Sequence, residues 1–149
     1  MKFLLEPGGT LSGNLRVPGD KSMSHRSVML GALANGTTRA TGFLEGEDAL
    51  ATVAAFRAMG VDIEGPEQGC LTIHGVGLQG LTAPHAPLDM GNSGTSIRLL
   101  SGILAGQSFA TTLTGDVSLQ KRPMGRVINP LTQMAAVIHS AAAGRRPLQ

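Results

Sequence analysis

Three times in 149 residues, a glycine followed by small hydroxyl residues and a cation stands where a strand gives way to a helix. The segments are GDKSMSHR (Gly19 to Arg26), GNSGTSIR (Gly91 to Arg98) and GDVSLQKRPMGR (Gly115 to Arg126). A chain punctuated in this way folds as repeated α/β units, with its polar turns gathered at one end. A helix start carries unpaired N–H groups and a partial positive charge, so a cation there works against the dipole unless an anion joins it.

The elements between the motifs fit that plan. Thr10 to Val17 reads as a strand with Leu11, Leu15 and Val17 apolar, closed by Pro18-Gly19. Ser24 to Ala34 reads as an almost wholly apolar helix, buried on several sides and ended by Asn35-Gly36. Thr37 to Gly42 is strand-like. Glu47 to Met59 is an amphipathic helix with Leu50, Val53, Ala54 and Met59 as core positions and Asp48 as its N-cap. Val61–Glu64 and Cys70–His74 form a hairpin. The pattern restarts with a helix at Gly94 to Ala105, a strand at Phe109 to Thr114 and a helix at Pro123 to Ile138. The segment from Ala141 to Gln149 leads toward a strand that does not follow. The second unit thus lacks its closing hairpin, as part of something longer would.

Composition narrows the ligand. Four Phe, no Trp and no Tyr leave no rings on which to stack single-stranded nucleic acid. Residues 1–89 hold six Lys/Arg against nine Asp/Glu, whereas residues 90–149 hold six Lys/Arg against one acid, Asp116. Nine of the twelve cations are Arg, suited to forked binding of carboxylate or phosphate. They sit singly in motifs rather than in a basic run, which fits small anions and no nucleic acid. No segment reaches membrane-spanning length, and MKFLLEPGG is too soon broken to be a signal peptide. The lone Cys70 supports neither a disulfide nor a zinc site; it reads as a buried small hydrophobe in a cytoplasmic protein.

Within the first motif, Lys21 is a mobile charge before the helix, Ser22 and Ser24 offer caps or hydroxyls, and Arg26 lies in an apolar first turn that demands an anion. His25 has a structural reading ahead of a catalytic one. The second motif lacks the Gly-Lys-Ser/Thr ending of a nucleotide P-loop. Gly94 lets a ligand approach a helix start, Asn92, Ser93, Thr95 and Ser96 supply donors, and Arg98 lies one turn in. In the third, Pro123 takes the first helical position and holds Arg122 extended before it, with Lys121 and Arg126 flanking. Asp89 and Asp116 stand ready to orient Asn92, Ser118 or an arginine. The plainer alternative is three capped core helices with solvated or acid-paired cations. No carboxylate couple or His/Cys cluster identifies acid/base or metal chemistry.

PGDKSMSHR, GNSGTSIRLLSGILAG and GDVSLQKRPMGRVINPL, in this order and spacing, resemble the N-terminal part of the EPSP synthases (3-phosphoshikimate 1-carboxyvinyltransferases) over essentially all 149 residues. The resemblance implies an α/β (α+β) fold of βαβαββ units in a two-domain inside-out barrel, of which only part is present. Residues 1–18 would belong to the C-terminal domain of the full enzyme. Residues 19–149 would form an incomplete N-terminal substrate-binding domain, with repeats at about 19–80 and 81–149. The implied reaction moves the enolpyruvyl group of phosphoenolpyruvate to the 5-hydroxyl of shikimate 3-phosphate and releases phosphate, without metal or organic cofactor. Lys21, Ser22 and Arg26 match contacts to shikimate 3-phosphate. Lys21, the catalytic candidate, also faces phosphoenolpyruvate with Gly94 and Arg122. Asn92 and Arg98 match further polar residues, and Asp48 supports the cleft. Gly94 implies sensitivity to the inhibitor glyphosate. The family's acidic proton-transfer groups would lie beyond Gln149, so this chain alone carries part of a cleft. It could be a fragment, a truncated product or half of a split enzyme. A UDP-N-acetylglucosamine enolpyruvyl transferase relative is the alternative within the chemistry, disfavoured by Asp20-Lys21-Ser22 and Arg122-Pro123-Met124. A non-catalytic anion-binding module is the alternative outside it.

Overall fold

The computed structural model describes residues 2–4, 6–141 and 145–148. Its elements run α1 (Lys21–Leu33), β1 (Asn35–Thr41), α2 (Glu47–Ala58), β2 (Asp62–Glu67), β3 (Cys70–Val76), β4 (Leu88–Asp89), α3 (Gly94–Leu104), β5 (Leu113–Thr114), α4 (Val117–Gln120), α5 (Gly125–Gln133), β6 (Ser140–Ala141) and β7 (Arg145–Leu148).

Local chemistry sets the boundaries. The Asp20 carboxylate accepts the Met23 N–H at 2.7 Å, so α1 begins at Lys21, three residues before the expected start. Val28, Met29 and Ala32 face the interior, but Met23 and Leu30 are about two-thirds exposed, so α1 is one-sided rather than buried all round. In α2 the inward stripe is Ala49, Thr52, Val53 and Phe56, with Met59 following; the expected core positions Leu50 and Ala54 face outward. The Gln68-Gly69 turn closes the β2–β3 hairpin with both residues at positive φ, 49° and 72°. Alternation then sends Leu71 and Ile73 inward and leaves Cys70 exposed, against its expected burial.

Two sheets result. One has the order β1-β3-β2, antiparallel throughout. The other has the order β4-β5-β7-β6, with β4 parallel to β5 and the remaining pairs antiparallel. The second unit reads β4-α3-β5-(α4, α5)-β6-β7, a βαβαββ sequence. The first repeats it without the leading strand, so β1 occupies the place of β5 and has no partner on its outer edge among the described residues. One hydrophobic core runs through both units, from Val28, Phe56 and Ile73 to Met90, Ile97 and Leu119.

Four further expectations differ from the structure. Thr10–Val17 forms no ladder; residues 6–20 carry no helix or strand, and Leu11, Leu15 and Val17 are exposed because no neighbouring edge lies beside them. The strand expected over Phe109–Thr114 narrows to Leu113–Thr114. The helix expected over Pro123–Ile138 shortens to Gly125–Gln133 and ends before Ala135, which lies in the left-handed region at φ 68°; a separate short helix, α4, capped by Asp116, precedes it. The closing hairpin expected to be missing is present as β6 and β7, anchored by Leu148, which lies buried opposite Leu113. Positions 142–144 and 149 of that segment lie outside the described residues. No helix among the described residues is long and apolar enough to cross a membrane.

Candidate anion-binding site

The first motif works through close approach of backbone. A methyl group at Gly19 would lie 1.9 Å from the Gly42 carbonyl oxygen, so only glycine lets the chain enter α1 along this path. Lys21 becomes the first helical residue, and its ammonium pairs with the Asp48 carboxylate. Asp48 is not the N-cap of α2; Gly46 holds that place, which frees the carboxylate for Lys21. The pair is half-open to solvent, so it orients Lys21 more than it stabilises the fold. Ser22 and Arg26 are exposed, and Arg26 Nη1 donates to the Ser22 carbonyl at 3.1 Å. Arg26 is thus not trapped among apolar neighbours as its sequence surroundings predicted. Ser24 is not free for a ligand either. Its hydroxyl donates to the Asp20 carbonyl at 2.8 Å and accepts the Leu44 N–H at 2.9 Å.

The second and third motifs build one cluster. Ser93 caps α3 and accepts the Ser96 N–H at 3.2 Å, which leaves Gly94 as the first helical residue. Arg98 curls back so that Nη1 donates to the Gly94 carbonyl at 2.9 Å. From the other side, Arg122 Nη2 donates to Asn92 Oδ1 at 2.5 Å, and Asn92 Nδ2 donates to Asp116 Oδ2 at 2.7 Å. Asp116 also accepts the Leu119 N–H at 2.6 Å. That bond, aided by Asn92, the Ser118 N–H and the Arg122 charge, holds its carboxyl below the usual carboxylate range against a smaller opposing effect of desolvation. Asp89 serves the same turn by accepting the Gly91 N–H at 2.8 Å.

The outcome is a glycine between two guanidinium groups. A methyl at Gly94 would stand 2.7 Å from Arg98 Nη1 and 2.9 Å from Arg122 Nη1. Neither arginine has a carboxylate partner among the described residues. Two forked cations beside a helix start match a small carboxylate or phosphate. Arg122 follows the C-cap of α4: its N–H bonds the Leu119 carbonyl at 3.1 Å, and Asn92 aims its side chain, while α5 begins at Gly125 rather than at Pro123. Cations at that end agree with a helix dipole rather than opposing it. Lys121 and Arg126 are exposed and stand outside the cluster's hydrogen bonds.

Among the described residues no hydrogen bond or ion pair joins the Lys21 and Asp48 side chains to the Gly94 cluster, and buried polar groups lie between them. His25 is fully buried, with Nδ1 2.8 Å from the Thr52 hydroxyl. Burial, then the Lys21 charge and more weakly Arg26, push its pKa below the ordinary histidine value, while Asp48 opposes them. This is the structural role expected for His25. Ser93 and Ser96, expected as ligand donors, are buried with their hydroxyls committed to each other and to Thr52. Thr52 escaped notice in the sequence, where a threonine within an amphipathic helix carries no signal.

Comparison with known proteins identifies the family. The family model for EPSP synthase (3-phosphoshikimate 1-carboxyvinyltransferase) matches residues 5–149. The chain belongs to the EPSP synthase family. It is 69% identical over 148 residues to the 3-phosphoshikimate 1-carboxyvinyltransferase of Alkalilimnicola ehrlichii, covering 99% of this chain and 33% of that protein. It is 66% identical over 147 residues to the Methylococcus capsulatus protein of the same name, covering 99% and 34%. A solved EPSP synthase from Acinetobacter baumannii superposes with a TM-score of 0.89 at 61% identity, over 91% of this chain and 31% of that one. The chain therefore spans about a third of the length of the curated relatives it matches. Within the EPSP synthase frame, the described residues make an α/β part of the fold with the three motifs at one end.

Proposed function

We propose that this chain supplies the N-terminal substrate-binding part of a 3-phosphoshikimate 1-carboxyvinyltransferase acting in the cytoplasm. The 5-hydroxyl of shikimate 3-phosphate attacks C2 of phosphoenolpyruvate while C3 gains a proton; the tetrahedral intermediate then expels phosphate. Lys21, Ser22 and Arg26, on the exposed start of α1, take the shikimate phosphate. Gly94, Arg98 and Arg122 take phosphoenolpyruvate, and Asn92 fixes Arg122. Lys21, steered by Asp48, serves both substrates and stabilises charge that develops between them. Residues 1–18 belong with a second domain made by sequence beyond position 149, which also brings the acidic proton-transfer groups.

The observation that carries this reading is the glycine flanked by two guanidinium groups without carboxylate partners. The shikimate pathway assignment, rather than a UDP-sugar one, is supported by the family match and by the names of the relatives. Calorimetry with shikimate 3-phosphate tests it. The chain binds weakly and with strong salt sensitivity, and Lys21→Ala and Arg26→Ala each abolish the heat. Unchanged binding in both variants refutes the assignment.

A further inference from the structure

The buried link between the two charged clusters is polar throughout. His25, Thr52, Ser93 and Ser96 are each 0–1% exposed. They come from the first two turns of α1 and α2 and from the start of α3, with His25 and Thr52 each four residues, about one turn, beyond Lys21 and Asp48 and with Ser93 and Ser96 flanking Gly94. Apolar side chains would fill this space without the cost of desolvating four polar groups, so their presence asks for a reason.

Proton counting fixes the order of the network. His25 Nε2 is buried and has no hydrogen-bond partner among the described residues, and a buried unpaired N–H is rarer than a buried unpaired acceptor. The ring hydrogen therefore sits on Nδ1 and points at Thr52 Oγ1, 2.8 Å away. Thr52 then donates to Ser96 Oγ at 2.9 Å, and Ser96 to the Asp48 carbonyl at 3.2 Å. Ser93 donates to Ser96 Oγ at 2.5 Å. In this order every hydroxyl proton has an acceptor. The chain runs from α1 through α2 to α3 and returns to the backbone of Asp48, whose carboxylate holds Lys21.

We propose that His25, Thr52 and Ser96 are positioning residues that hold the Lys21–Asp48 pair in register with the Gly94 helix start, so that one small anion can meet both. Apolar contacts between helices tolerate sliding, whereas directional hydrogen bonds fix separation. None of the three side chains touches substrate; each acts through Asp48 or through the α3 start. The proposal rests on the anion-site reading above and extends it from binding groups to the frame that spaces them.

Thr52→Val tests the proposal, because it keeps shape and removes the hydroxyl. Phosphoenolpyruvate affinity, read by calorimetry on the folded variant, falls by about tenfold or more, as expected when binding groups lose register. Shikimate 3-phosphate, held largely by Ser22 and Arg26 on α1 alone, loses less. Thr52→Ser restores phosphoenolpyruvate binding. Ser96→Ala, in which alanine keeps the helix, reads the same effect should Thr52→Val not fold. Imidazole nitrogen NMR of the parent shows a neutral His25 protonated on Nδ1. Phosphoenolpyruvate affinity within twofold of the parent in either folded variant overturns the positioning role, as does a ring protonated on Nε2. A parent that binds neither substrate refutes the functional reading itself, and the positioning role falls with it.

Discussion

Gly94 shows how a single residue can be chosen for the space it leaves. It is not at a strained backbone angle, so alanine suits its place at the start of α3, and the groups a methyl would meet are mobile guanidinium ends. Gly94→Ala should therefore leave thermal stability near that of the parent while weakening anion binding. Glyphosate should lose more affinity than phosphoenolpyruvate, since the longer inhibitor has less room to shift. Equal losses for the two ligands, measured by calorimetry, would contradict this use of the glycine. Asn92 tests a second link. Asn92→Ala frees Arg122 from its aim without touching Arg98, and phosphoenolpyruvate binding should weaken by roughly tenfold, the scale of a lost charge-assisted bond. At this scale the sequence was largely readable. Asn92, Gly94, Arg98 and Arg122 were all visible in motifs, and Asp116 was foreseen as an orienting acid. What could not be read was which hydroxyls faced ligand and which faced inward. Ser24, Ser93 and Ser96 look like Ser22 in a string of letters, and burial alone separates them.

Elements carry the energetic consequences. Gly19→Ala forces the entry to α1 away from the Gly42 carbonyl and should destabilise the fold by about 1–3 kcal/mol, as overpacking does, seen as a lower Tm. Stability should also depend on pH through His25. Its folded pKa lies below the ordinary value of 6.5, because burial and the nearby charges of Lys21 and Arg26 on α1 outweigh Asp48 on α2. The unfolded chain thus binds the proton more readily, and this stability is present above about pH 6.5 and lost as pH falls below it. His25→Gln should flatten that part of the Tm profile; an unchanged slope would show that His25 does not titrate against folding. Asp116 caps an additional short helix before the third motif's arginine, and the helix after Pro123 begins only at Gly125 and stops at Gln133. β7 was invisible because Arg145-Arg146-Pro147-Leu148 has one apolar residue and little strand propensity, and its pairing comes from the tertiary place of Leu148 beside Leu113.

For the whole molecule, the recurring strand order matters most. Among the described residues, two units share one order, the first without a leading strand, so that β1 has no partner on its outer edge and residues 6–20 join no ladder. The chain also covers about a third of the length of its relatives, as the proposed partial substrate site requires. Co-expression with the remaining two thirds of a relative should restore growth without aromatic amino acids in a strain lacking the enzyme, and the Lys21→Ala chain should fail to do so. Repetition was legible at once, because glycine, hydroxyl and cation recur at each helix start. The meeting of α1, α2 and α3 at one buried network was not, since it depends on helix packing rather than on any local pattern. The most direct measurement is an amide and guanidinium NMR titration of the chain with phosphoenolpyruvate. Shifts should concentrate at Gly94, Thr95, Arg98 and Arg122, with a weaker response at Lys21; shifts confined to other residues, or none, would contradict an anion site at the start of α3.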